Sequence, residues 1–170
     1  MVGPYLLTEK GINQSWGASV FLFVFAPQKP YIRLPKTIVM LKIGNLKAGD
    51  IVLLNDEGVE REGQVVEISH EENQALVDNG VQEFWFSPEE MKAIPLDEQQ
   101  LIKLGFIREE ENGSVKYKKD SFRLVTPKKG DFSRLEMWWR EDRRHFNFPL
   151  SVHELQNLFM DMTKVQLSRL

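Results

Sequence analysis

The sequence predicts a protein of the β and α+β classes, an SH3-like small β-barrel followed by a small antiparallel sheet flanked by two helices. Three observations carry that reading. Residues 40–96 break into short β-branched and aromatic runs separated by turn signals, as a small all-β unit does. A single helical turn before a last short run closes that unit in the SH3-like manner. Residues 97–170 begin and end on capped helical patterns with strand-like runs between them, the order of an α+β unit.

In the first unit a strand is expected at 40–43. Ala48-Gly49-Asp50 turns into the apolar run 51–54, and Asp56-Glu57-Gly58 turns out of it. Residues 64–68 alternate at period two, and His70-Glu71-Glu72-Asn73 is a polar connection to a strand at 75–78. Asn79-Gly80 is a strong hairpin signal, because both positions tolerate positive φ, and 81–86 is the returning strand. Ser87, Pro88 and Glu90 stand at the cap, first and third positions of a single helical turn. Residues 94–96 are expected as the final strand.

The second unit opens with Asp97 as N-cap of a helix that Gly105 stops. Residues 109–113 read as a polar turn. Strands are expected at 115–118, 122–126, 134–140 and 145–148. Ser151 and Glu154 form an S-x-x-E capping box, and Val152, Leu155, Leu158, Phe159 and Met162 then fall on one face of a last helix.

A chain of 170 residues, 42% hydrophobic and 28% charged, is long and apolar enough for a buried core, which excludes whole-chain disorder. The absence of cysteine excludes disulfides, thiolate metal sites and a cysteine nucleophile. It is consistent with a reducing, cytoplasmic location. The net charge of −3 is unevenly spread. Lys10, Lys29, Arg33 and Lys36 against Glu9 give residues 1–39 a charge of +3, leaving −6 for the remainder.

Residues 16–26 are the strongest apolar run, too short for a transmembrane helix of roughly 20 residues. Their length suits the core of a secretory signal, but Glu9 precedes them, no A-x-A site follows, and Pro27 ends them. A buried strand also fits their content. The reading adopted takes residues 1–39 as a leader or linker, either disordered or an over-extended start of translation, with Met40 opening the patterned part.

Catalytic constellations are scarce, and the chain is read as non-enzymatic, with no metal or cofactor site. His153-Glu154-Leu155-Gln156-Asn157 differs from the zinc motif H-E-x-x-H at its last position, where an amide replaces the second imidazole. His153 is expected on the surface of the first turn, with Glu154 as the capping residue. His70-Glu71-Glu72 offers three ligand types on one turn, but adjacent turn residues rarely converge on one ion. Neither glycine pattern of a phosphate-binding loop occurs.

One constellation is basic and aromatic. Ten Lys and Arg residues lie between Ser114 and His145 against five acids, a local charge of +5. On the 134–140 strand, alternation sends Leu135, Met137 and Trp139 to the core and places Arg134, Glu136, Trp138 and Arg140 on the other face. An indole among guanidinium groups suits base stacking and phosphate neutralisation. The candidate binding surface is Lys116, Lys118, Arg123, Arg134, Trp138, Arg140, Arg143 and Arg144. A purely structural strand face and a protein interface fit the same residues. Phe84-Trp85-Phe86 raises a parallel question, since alternation buries either the indole or the two phenyl rings, and the leftover aromatic lines a peptide groove or packs.

The segments "LKIGNLKAGDIV" at 41–52, "IPLDEQQLIKLGF" at 94–106 and "FPLSVHELQNLFMDMT" at 148–163 together resemble a set of short uncharacterised proteins of Bacteroidetes bacteria and of their phages and mobile elements. The resemblance covers about residues 40–163 and implies a start near Met40. It implies no activity, and it attaches no role to His153, Gln156 or Asn157. The expected function is therefore non-catalytic binding, as an accessory protein with a protein partner. Nucleic-acid binding through the face around Trp138 is the alternative, and no membrane association is expected.

Overall fold

The computed structural model describes residues 41–56, 58–111 and 114–170. The expectations for residues 1–39 and for Met40 lie outside the described residues. Among the described residues, two antiparallel five-stranded sheets and two α-helices make a mostly β structure.

The first sheet holds β1 (Ile51–Asp56), β2 (Val59–Ser69), β3 (Gln74–Asp78), β4 (Glu83–Phe86) and β5 (Met91–Lys92), in the order β4-β3-β2-β1-β5. The runs expected at 51–54, 64–68 and 75–78 lie in strands, and the run expected at 81–86 is a strand over its last four residues. Gly63 lets β2 pass close to its neighbours: a Cβ there would lie 2.7 Å from Leu54 Cδ1 and from Val77 Cγ1. The register shifts between Val65 and Glu67, which bends β2. The turn Pro88–Glu90 has the expected cap, with Ser87 N–H and Oγ donating to the Glu90 carboxylate at 2.9 and 2.8 Å.

The expected barrel does not close. β5 is two residues long and pairs with β1, while β4 pairs with β3 and ends the sheet. The residues expected as the final strand are used elsewhere. Pro95 bridges Ser151, Leu96 N–H donates to the Leu150 carbonyl at 3.0 Å, and Val152 N–H donates to the Ile94 carbonyl at 2.9 Å. Residues 41–43 are not a strand either. Ile43–Asn45 is a 3₁₀ turn, and Leu41, Ile43 and Leu46 pack under the sheet.

The second sheet is a meander of β6 (Ile107–Glu111), β7 (Ser114–Lys119), β8 (Phe122–Thr126), β9 (Leu135–Trp139) and β10 (Asp142–Phe146). Helix α1 (Glu98–Lys103) precedes it and α2 (Val152–Thr163) follows it. Asp97 caps α1 by accepting from Gln100 N–H at 2.9 Å, and Ser151 with Glu154 forms the capping box of α2. β6 takes in residues 109–111 of the polar turn expected at 109–113, whose last two residues lie outside the described residues. Its acids suit an edge strand, since Glu109 lies opposite Lys116 and pairs with Lys118 at 2.6 Å. β9 stops at Trp139 and β10 begins at Asp142, because Arg140 turns the chain at φ +54°.

β1 serves both cores, which explains why it reads as a continuous apolar run rather than an alternating one. Val52 and Leu54 join the core of the first sheet, with Val65, Ala75, Val77, Phe86 and Met91. Ile51 joins the core between the second sheet and the helices, where Tyr117, Phe122, Leu124, Met137, Leu155 and Phe159 are buried. Phe122 and Phe159 pack with ring centres 4.8 Å apart, fixing α2 on the inner face of the meander.

Gln156 ties α2 to the first sheet. Its Oε1 accepts from Ile51 N–H at 2.8 Å, and its Nε2 donates to the carbonyls of Gly49 (3.0 Å) and Leu167 (2.8 Å). Gly49 holds this turn at φ +94°, a conformation glycine adopts freely. From the next residue of α2, Asn157 Nδ2 donates to buried Asp50 at 2.9 Å. Burial pushes the Asp50 carboxyl up to about 6, against the opposing hydrogen bonds from Lys47 N–H and Asn157.

Candidate nucleic-acid interface

Helices cover one face of the second sheet, and the sequence places charge on the other. Pairing in β7 to β10 sets Lys118 opposite Arg123, Arg123 opposite Trp138, and Trp138 opposite Arg143. Cross-strand partners point to the same side, so these four side chains form one row across four strands. At about 4.8 Å per strand the row spans roughly 14 Å. A second row beside it runs from Lys116 through Val125 and Glu136 to His145.

The centre of this face is a stack. The Arg143 guanidinium lies 4.3 Å from the centre of the half-buried Trp138 ring. Glu136 holds both partners: its Oε2 accepts from Arg143 at 2.8 Å and from Trp138 Nε1 at 3.2 Å. Its Oε1 lies 3.3 Å from His145 Nδ1. The Arg143 hydrogen bond, helped by that of Trp138, keeps the Glu136 carboxyl below its ordinary value, so it stays an anion and an acceptor. Arg123 is exposed and has no ion-pair partner among the described residues. Lys118 is shared with Glu109.

At one end of the face the chain between β8 and β9 splays away and leaves a shallow groove of about 350 Å³. Arg134, Glu136, His145 and Asn147 line it beside Val125 and Phe146.

Of the eight candidate residues, the structure therefore brings Lys116, Lys118, Arg123, Trp138 and Arg143 onto one face and sets Arg134 at its end. It separates the other two. Arg140 sits in the β9–β10 turn with its guanidinium 5.4 Å from the Trp139 ring, away from the Trp138 row. Arg144 lies opposite Met137, on the helix-covered side, and pairs with Asp142 at 2.9 Å. Alternation carried one residue too far places Arg140 on the wrong face.

His153 is buried, not a surface residue, and its Nδ1 lies 3.0 Å from Ser151 Oγ. Burial lowers its pKa despite the nearby Glu154 charge, so it behaves as a neutral, packed imidazole. Sequence reasoning gave no function to Gln156 or to Glu136, the one a buried clamp and the other the anchor of the basic face. A Gln on the apolar side of an amphipathic helix is the visible signal for the first.

Phe86 is buried, whereas Phe84 and Trp85 are 44% and 42% exposed, so β4 offers an aromatic on each side of the sheet. Among the described residues no group of three or more His, Asp and Glu side chains is placed to hold a metal ion. No helix among them is long and apolar enough to cross a membrane.

No family model matches this chain, and neither the curated proteins nor the solved structures contain a match to it.

Proposed function

We propose that this chain is a non-catalytic binding protein whose ligand is single-stranded nucleic acid, held on the outer face of the second sheet. The observation that carries the reading is the register that aligns Lys118, Arg123, Trp138 and Arg143 across four strands. Cations flank an indole there on a surface open to an extended chain. Base stacking contributes about 1–3 kcal/mol per base, and cations spaced along the row neutralise phosphates. A sheet face suits single strands, whose splayed bases reach flat aromatic platforms. The groove beside Glu136 and His145 extends the face by one recess.

The Arg143–Trp138 stack also stabilises the free sheet, by about 0.5–1 kcal/mol for an exposed cation–π pair. The two roles separate experimentally. Amide chemical-shift mapping with a short single-stranded oligonucleotide is expected to move resonances of β7 to β10 around Arg123 and Trp138. Shifts scattered over the molecule, or none at low salt, sink the reading.

Two further parts of the proposal rest on narrower support. The strand order β4-β3-β2-β1-β5 and the 3₁₀ turn before β5 support an SH3-like ancestry for the first sheet in an opened form. The motifs at 41–52, 94–106 and 148–163 support an accessory role in a phage or mobile element, and a cytoplasmic location goes with that role.

A further inference from the structure

The first sheet carries a second surface with the opposite charge. Between Arg61 and Lys92 the chain has eight carboxylates and no lysine or arginine. The strand that ends this sheet, β4, pairs with β3 on one side, and its other edge has no strand partner among the described residues. Phe84 and Trp85 are adjacent, so they point to opposite faces, and both are exposed. Trp85 lies opposite Leu76, which in turn lies opposite Glu67. At the other end of the strand, Asp78 and Glu83 are direct cross-strand partners.

We propose that β4 is the docking edge for an extended, basic segment of a partner protein, which adds to the first sheet as a further strand. An added strand takes its affinity from main-chain hydrogen bonds and its specificity from alternate side chains. Here those side chains meet Phe84 on one face and Trp85 on the other. Like charges directly opposite each other destabilise a sheet, and the Asp78–Glu83 pair is such a pair. A lysine or arginine seated between them removes that repulsion, and a guanidinium over Trp85 gains a cation–π contact.

Charge decides among the occupants. Nucleic acid is repelled by this edge. A second copy of β4 is disfavoured as well, because edge-to-edge pairing brings a second Glu83 and Asp78 into the same anionic patch. A basic extended segment meets both the unpaired backbone and the carboxylates. This inference stands independently of the nucleic-acid reading, which concerns the other sheet.

The test is isothermal titration calorimetry of the full chain with a synthetic peptide of alternating arginine and valine. The same peptide with glutamate replacing arginine serves as control, and hydrogen exchange at the β4 amides is followed in parallel. Binding of the arginine peptide alone is expected, with slowed exchange at Glu83 and Trp85, whose N–H groups face away from β3. Trp85→Ala and Glu83→Lys are each expected to weaken it by about tenfold or more, and Trp138→Ala to leave it unchanged. Glu83 is exposed at the strand end, so its variant reports on charge without disturbing packing. The proposal is overturned if the arginine peptide does not bind, if the glutamate peptide binds equally, or if binding survives both β4 variants. Concentration-dependent dimerisation through β4 in place of peptide binding overturns it as well.

Discussion

The two sheets have the same number of strands and are both antiparallel, yet their charge is sorted in opposite directions. Between Arg61 and Lys92 the chain has eight carboxylates and no Lys or Arg, and the edge strand β4 in that stretch carries two exposed aromatics. From Ser114 to His145 the second sheet has ten Lys and Arg against five acids, and its register lines several of them beside one tryptophan. A net charge of −3 conceals this division. In one sheet the distinctive feature is an edge strand with no further strand partner among the described residues. In the other it is a face, where side chains are arrayed. Edges take strands and basic faces take polyanions, so the two halves are suited to different partners.

The strongest way to break the comparison is to cut the link between the halves. Gln156→Ala leaves Ile51 N–H and the Gly49 and Leu167 carbonyls without their buried partner. Unsatisfied buried groups cost about 1–3 kcal/mol each, so a loss of about 3 kcal/mol or more is expected in urea denaturation. A loss below about 1 kcal/mol would show that α2 and the first sheet do not depend on this amide.

Asp50 sharpens the same link through pH. Burial raises its pKa from 3.8 to about 6, so between those values the folded state holds a proton that the unfolded chain has released. Its stabilising contribution is present below about pH 4 and is lost as pH rises toward 6. Asp50→Asn is therefore expected to gain on the parent protein between pH 4 and pH 7, by at most about 3 kcal/mol. Glu62 runs the other way. Burial alone would raise it, but hydrogen bonds from Arg169, Gln100 and Lys103 hold it down to about 2. Its contribution is present above about pH 4.5 and lost toward pH 2, a window in which Glu62→Gln is expected to show a flatter acid limb.

Next in size are the effects on binding. Trp138→Ala is expected to weaken single-stranded oligonucleotide binding by about 1–3 kcal/mol, and Trp85→Ala to leave it unchanged. Equal losses in the two variants, by anisotropy, would erase the distinction between the sheets. The smallest effect belongs to Arg140. Its φ of +54° is costly for a side chain with a Cβ, and it lies off the Trp138 row. Arg140→Gly is expected to raise stability by about 0.5 kcal/mol and to change oligonucleotide affinity by less than about twofold.

Much of the fold was legible where local chemistry decides it. The capping boxes at Ser87–Glu90 and Ser151–Glu154 and the Asp97 cap were readable from short-range hydrogen bonding alone. So were the strands around Asn79-Gly80. The misread elements depend on pairing at a distance. β6 looks like a turn because its three consecutive glutamates do not alternate, and its strand character comes from the lysines of β7. Residues 94–96 have the content of a strand, but their partner is the start of α2, 56 residues away in the Pro95–Ser151 bridge, and not β1. The candidate face was legible as a composition. Its geometry was not, because one αL residue at 140 ends the alternation that would carry Arg140 onto it.

The central claim is that the registered row on the second sheet binds single-stranded nucleic acid. Fluorescence anisotropy of a labelled single-stranded oligonucleotide, titrated with the full chain over a range of salt, tests it most directly. Saturable binding is predicted, weakened by Arg123→Ala and by Trp138→Ala. Its salt slope should be about −2 to −3, the value for three or four phosphates neutralised on a single strand. No binding at low salt, or binding indifferent to salt and to both substitutions, would contradict the account.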